Sequence, residues 1–131
     1  MKRTVYVGID VSKDKLDVAV KVTEADSAPS PAKRARETWI SGNTSGGVAD
    51  LVRRVKALNP ERIALEATGG YEQRVFLALR EAGLPAVIVN PGNVREFAKA
   101  MGQIAKTDRI DALVLAHFAE IRQPEVMPLP P

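Results

Sequence analysis

The sequence predicts an α/β domain with a mixed sheet, in which antiparallel hairpin strands come first, parallel strands follow, and helices cover both faces. Three observations predict it. Apolar residues alternate with period two in two early runs, 3–11 and 15–22. They then recur at helical spacing from Val48 to Leu58. Beyond that point short apolar strands alternate with helical patterns, the order expected of helices packed on parallel strands.

Val5, Val7, Ile9 and Val11 form one face of the first strand, and Leu16, Val18, Val20 and Val22 one face of the second. Ser12-Lys13-Asp14 between them is a short polar break, so the two strands form a hairpin. Residues 23–35 are rich in Ala, Ser, Pro and Lys and read as a mobile loop. Glu37-Thr38-Trp39-Ile40 is β-prone and makes a third strand. A helix follows, capped by Thr44 or Ser45 and ended by Asn59-Pro60. Arg62 to Glu66 is a strand closed by Thr68-Gly69-Gly70, and a second helix runs from Tyr71 to Ala82 with Gly83 as its stop. Pro85 to Val89 is the continuous apolar run of a buried strand. Asn90 and Pro91 supply the cap and first position of a helix reaching Met101. The last helix begins at Thr107 or Asp108 and ends near Ile121. The domain is therefore 1–123, and 124–131, with four prolines, is a linker or a truncated end.

Composition excludes several classes of chemistry. With 131 residues and 45% hydrophobic content, the chain can build a core unaided. No cysteine means no disulfide scaffold, thiolate metal site or cysteine nucleophile. One histidine, His117, excludes an all-imidazole metal site and argues against a Ser-His-Asp triad; among Leu113, Val114, Phe118 and Ile121 it reads as a helix-packing residue. No stretch approaches the roughly 18 apolar residues of a membrane span. Asp10, Lys13, Asp14 and Lys15 interrupt any export signal after Met1-Lys2-Arg3, so a cytoplasmic protein is expected. The net charge is +3, with basic groups at Lys33, Arg34 and Arg36, at Arg53, Arg54 and Lys56, and at Arg95, Lys99, Lys106 and Arg109. Each group is either a solvated face or a phosphate-backbone contact, and charge alone does not decide.

Four acids stand where chemistry could sit. Asp10 and Glu66 each end a strand; if those strands are parallel neighbours, both carboxylates lie at the same sheet edge, and ligand sites in such sheets favour the carboxyl ends of strands. Asp108 and Asp111, three apart at a helix start, can share a face. Converging carboxylates repel one another unless hard divalent cations bind between them. Two such ions about 4 Å apart can activate an attacking oxygen and stabilise a leaving one. Each acid also has a plain role as turn, strand end or first-turn residue, and spacing alone leaves both readings open.

The run Val7-Gly8-Ile9-Asp10-Val11-Ser12-Lys13-Asp14-Lys15-Leu16-Asp17 resembles the opening of the DEDD-type insertion-sequence transposases, which include the Piv DNA invertase and the bridge-RNA-guided recombinases. Leu65-Glu66-Ala67-Thr68-Gly69-Gly70-Tyr71-Glu72, Lys106-Thr107-Asp108-Arg109-Ile110-Asp111-Ala112 and Val89-Asn90-Pro91 are similar to further blocks of that family. The resemblance spans nearly the whole chain. It implies a RuvC-like, ribonuclease H-like fold and assigns Asp10, Glu66, Asp108 and Asp111 as metal-binding catalytic acids. It further implies Mg²⁺ as cofactor, with Mn²⁺ as a substitute, DNA as substrate, a structured guide RNA, and assembly as a homodimer or tetramer. The function implied is that of a DNA transposase or site-specific recombinase.

Members of that family carry a carboxy-terminal domain that supplies a serine nucleophile, and no counterpart is visible here. None of Ser12, Ser27, Ser30, Ser41 and Ser45 inherits that role, so the isolated domain is expected to be inactive. Two alternatives use the same residues: a stand-alone RuvC-like nuclease with water as nucleophile, and a non-catalytic guide-RNA-binding and oligomerisation module. Three smaller features have two readings each. Lys13 is a scissile-phosphate contact or a solvated turn lysine. Gly69-Gly70 is a phosphate approach or a tight turn. Tyr71 stacks on a base or packs in the first turn of its helix.

Overall fold

The computed structural model describes residues 3–24, 36–102 and 110–129. The two alternating runs pair as an antiparallel hairpin of β1 (Arg3–Val11) and β2 (Lys15–Glu24), with Val11 opposite Leu16 and Arg3 opposite Glu24. The N–H and hydroxyl of Ser12 both donate to the Lys15 carbonyl, each at 3.0 Å, and close the turn. β2 outruns the predicted alternation because Thr23 and Glu24 still pair with Thr4 and Arg3. The loop expected at 23–35 therefore does not begin at Thr23, and 25–35 lies outside the described residues.

β3 (Glu37–Gly42) adds antiparallel to β2, so it runs in the same direction as β1. α1 (Ser45–Leu58) starts where the Thr44 hydroxyl accepts the Gly47 N–H at 3.1 Å. β4 (Arg62–Glu66) pairs parallel to β1, α2 (Gln73–Glu81) follows, and β5 (Ala86–Val89) pairs parallel to β4. α3 (Pro91–Ala100) begins on the Asn90 side chain, which accepts the N–H groups of Gly92 and Asn93. α4 (Ala112–Arg122) completes the element order. The sheet order is β3-β2-β1-β4-β5, mixed as predicted, with helices on both faces.

Alternation along β1 sends its side chains to two separate cores. Val7, Ile9 and Val11 pack with Leu51 and Val55 of α1 and with Val75 and Leu79 of α2. Tyr6 joins Ala64, Phe97 of α3 and Leu115 of α4 on the opposite face. Gly8 faces α4, where a Cβ would lie 1.9 Å from the Ala112 carbonyl oxygen, so only glycine lets this helix sit on β1. α4 is buried along most of its length, including His117 and Glu120. Lys21 of β2 donates to Glu120 and, at 3.1 Å, to His117 Nδ1, and the Thr23 hydroxyl donates to the other Glu120 oxygen. Burial, aided by the charge of Lys21, holds His117 below the usual imidazole value, against the opposing pull of Glu120.

The start of the last helix differs from expectation. α4 starts at Ala112 and not near Asp108, because Asp111 has extended backbone angles (φ −107°, ψ 178°) and its carboxylate accepts the Val114 N–H at 2.9 Å. A residue capping a helix in this way ends it on that side. After α4 the proline-rich segment lies against the body. Arg62 donates to the Pro124 carbonyl at 3.0 Å and Arg80 to the Met127 carbonyl at 2.6 Å. No helix among the described residues is long and apolar enough to cross a membrane.

Candidate active site

β1, β3 and β4 all end at one edge of the sheet, and the loops that follow them gather there. On the α4 side of that edge is an open cleft of about 660 Å³. Asp10, Lys15 and Asp17 of the hairpin line it, with Trp39 of β3 and Asp111 and Leu113 at the start of α4. The cleft follows from the packing: Gly8 lets the α4 N-terminus reach β1 two residues before Asp10. Asp10 is largely buried and Asp111 is exposed, so the carboxylates enter the cleft from its floor and its rim.

Glu66 sits one strand away. Ile9 is in register with Leu65, so Asp10 and Glu66 follow the last registered pair on neighbouring parallel strands, about 4.8 Å apart by sheet geometry. Glu66 shares a sheet face with Ala64, on the α3–α4 side that Asp10 also faces, but it does not line the cleft. The structure thus brings Asp10 and Asp111 into one cleft and ends β4 beside them. Asp108 lies outside the described residues. Among the described residues, no group of three or more Asp, Glu, His or Cys is gathered closely enough to hold a metal ion.

Asp17 is the residue sequence reasoning missed. It lies directly opposite Asp10 in the hairpin register and faces the same cleft. The signal was available in the turn: with Val11 paired to Leu16, the next pair inward is Asp10 and Asp17.

The loop between β4 and α2 has its own acid. Glu72 is buried, and one of its oxygens accepts the Thr68 N–H and hydroxyl at 2.8 Å and the Gly70 N–H at 3.1 Å. Burial pushes this carboxyl up, but the hydrogen bonds from Thr68 and Gly70 outweigh it and hold the pKa at about 2. Gly69 (φ 80°) and Gly70 (φ 126°) make the turn, and α2 starts at Gln73, two residues later than predicted. Tyr71 is therefore outside the helix and 50% exposed, not packed in a first turn.

Of the basic groups, Arg53 is paired with Asp50. Arg54 pairs with Glu37 at 3.3 Å and stacks over the Trp39 ring at 4.0 Å. Those two cations serve the protein's own surface. Lys33, Arg34, Lys106 and Arg109 lie outside the described residues.

Residues 7–131 match the IS110 family of DEDD transposases, described as "Transposase", and the chain belongs to that family. It is 26% identical over 126 residues to the pilin gene-inverting protein of Moraxella bovis, covering 91% of this chain and 35% of that one. The Moraxella lacunata protein of the same name is 27% identical over 126 residues, with the same coverage. The chain thus spans about a third of the length of these relatives. Among solved structures it is similar to Thermus thermophilus RuvC, with a TM-score of 0.62 and 20% identity over 91% of this chain and 97% of that one. The Fowlpox virus resolvase, solved with substrate Holliday junction DNA, aligns with a TM-score of 0.53 at 11% identity over 90% of this chain and 99% of that one. The fold is RuvC-like and ribonuclease H-like.

Proposed function

We propose that this chain is the catalytic domain, 1–123, of a DNA transposase or site-specific recombinase that carries out metal-assisted phosphoryl transfer. The observation that carries the reading is the cleft shared by Asp10 and Asp111 at the carboxyl ends of parallel strands. Its donors are carboxylate oxygens, the set that suits Mg²⁺ or its substitute Mn²⁺. Asp10, Glu66, Asp108 and Asp111 would hold the cations. When bound, the cations supply positive charge beside the scissile phosphate. The protein's own part is rigidity. Asp10 is held in a central strand, and Asp111 is tied to the Val114 N–H through one oxygen, which orients the carboxylate. A serine on a further domain is the nucleophile, and this domain alone does not turn over.

Family membership supports DNA as the substrate, and the resemblance adds a structured guide RNA and a homodimer or tetramer as working partners. A second reading, a stand-alone nuclease using water, keeps the same acids on the same RuvC-like fold. Cutting of branched DNA by this chain alone would decide for it.

The test is Mn²⁺ titration by calorimetry. The wild-type chain takes up the ion, and Asp10→Asn, Glu66→Gln, Asp108→Asn and Asp111→Asn each weaken uptake by about tenfold or more, since losing even an outer-shell partner of a metal ligand costs that much. Equal uptake by all five proteins would sink the reading. Strand transfer is then followed in the full-length transposase carrying the same changes.

A further inference from the structure

On the other flank of the same sheet edge, Lys13, Asn43, Gly70, Tyr71 and Arg74 line a pocket of about 270 Å³. They come from three loops and one helix: the β1–β2 turn, the β3–α1 turn, the β4–α2 loop and the first turns of α2. Asn43 ties them together. Its amide donates to the Ser12 carbonyl at 2.9 Å and the Tyr71 carbonyl at 3.2 Å, its N–H donates to the Asp14 carbonyl at 3.0 Å, and its own carbonyl accepts from Arg74 at 3.1 Å. The pocket is therefore held in shape by hydrogen bonds, one of which fixes the Arg74 guanidinium at its wall through Nη1.

Lys13 and Arg74 are both exposed, and neither has a carboxylate partner among the described residues. Arg3, Arg53, Arg54 and Arg62, by contrast, are each paired. Two uncompensated cations on one small concavity call for an anion. The loop backbone cannot supply the seat through Thr68 or Gly70, since both N–H groups are turned inward to Glu72. The side chains of Lys13 and Arg74 must hold it, and a guanidinium fork matches two phosphate oxygens. Beside them the half-exposed Tyr71 ring offers a face for stacking.

We infer that this pocket seats one nucleotide of the DNA strand on which the acid cleft acts, with phosphate on Lys13 and Arg74 and its base on Tyr71. The choice of DNA rests on the function proposed above; the pocket itself does not. Lys13 is three residues from Asp10, at most about 10 Å of extended chain. A strand seated there crosses the ends of β1 and β4 within reach of the cleft.

The experiment is fluorescence anisotropy of a labelled single-stranded DNA oligonucleotide on this chain across a salt series. Lys13→Gln and Arg74→Gln are each expected to weaken binding severalfold and to flatten the log K against log salt slope by about 0.7. Arg74→Lys keeps the slope. Tyr71→Leu weakens binding about fivefold or more at an unchanged slope, as loss of a stacked base does. Wild-type affinity and slope in both Gln variants would overturn the inference, as would tighter binding of an RNA of the same sequence that is lost in the same variants. Mn²⁺ uptake by these variants stays at the wild-type level, since none removes a carboxylate. A chain that binds DNA through the pocket but takes up no Mn²⁺ would lose the metal reading and keep this one.

Discussion

Gly8 and Ala112 meet so closely that a methyl group on Gly8 would overlap the Ala112 carbonyl, at 1.9 Å. A residue on a central strand thereby sets the height of the helix that carries Asp111. Gly8→Ala forces the helix outward, an overpacking change that costs about 1–3 kcal/mol. It also separates Asp111 from Asp10, so Mn²⁺ affinity falls along with stability. Gly46 of α1 is the matched control, because a Cβ added there would meet nothing within 4 Å. Gly46→Ala leaves metal uptake unchanged and stability equal or slightly higher. Denaturant titrations and calorimetry on the two variants check both outcomes.

Asp111 has two roles that substitution can separate. One oxygen caps α4 through Val114, and the carboxylate also faces the cleft. Asp111→Ser retains a capping oxygen and removes the carboxylate, so metal uptake drops while stability holds within about 0.5 kcal/mol. Asp111→Ala removes both and costs about 1 kcal/mol more. If Asp111→Ser keeps full metal uptake, the residue is a helix cap and nothing else.

Asp10 and Asp17 oppose one another across the hairpin, and like charges in that position are destabilising by about 0.2–1 kcal/mol. Asp17→Asn therefore raises the melting temperature in metal-free buffer. Adding Mg²⁺ stabilises the wild type more than Asp17→Asn, because the cation relieves a repulsion that the variant lacks. Identical Mg²⁺ increments in the two proteins would remove Asp17 from the cleft's electrostatics.

Much of this architecture is legible locally. The alternation of Val5 to Val11 and the caps at Thr44 and Asn90 depend on neighbours a few residues away, and the structure follows them. What sequence reasoning misses depends on distant partners. Lys21 stands at a polar position of β2, where alternation alone suggests solvent, yet α4 covers that face and supplies Glu120 and His117. The tight contact at Gly8 likewise requires knowing where α4 lies. The Asp108–Asp111 spacing suggests one helical face, but Asp111 uses its side chain to cap, and a cap stands outside the helix it starts. The basic group around Arg53 and Arg54 is ambiguous in sequence for a similar reason: its partners Asp50, Glu37 and Trp39 determine where the charges go.

Glu72 gives the fold an acid-sensitive joint beside the nucleotide pocket. Its carboxyl is held at about 2 against an ordinary 4.5, so the folded state favours the ionised form more than the unfolded chain does. The stability this supplies is fully present above pH 4.5 and is lost as pH falls through about 2. In Glu72→Gln the hydrogen bonds from Thr68 and Gly70 lose their charged acceptor, at a cost of about 1–2 kcal/mol at neutral pH. The variant's stability is then flatter with pH than the wild type's across that window, and the two curves converge at the acid end. Urea denaturation at a series of pH values measures this directly. Because Thr68 and Gly70 hold the loop that presents Tyr71, the same variant also weakens oligonucleotide binding at neutral pH, although Glu72 faces inward and touches no ligand. Parallel stability curves for the two proteins would show that the loop is held by its glycine turn alone.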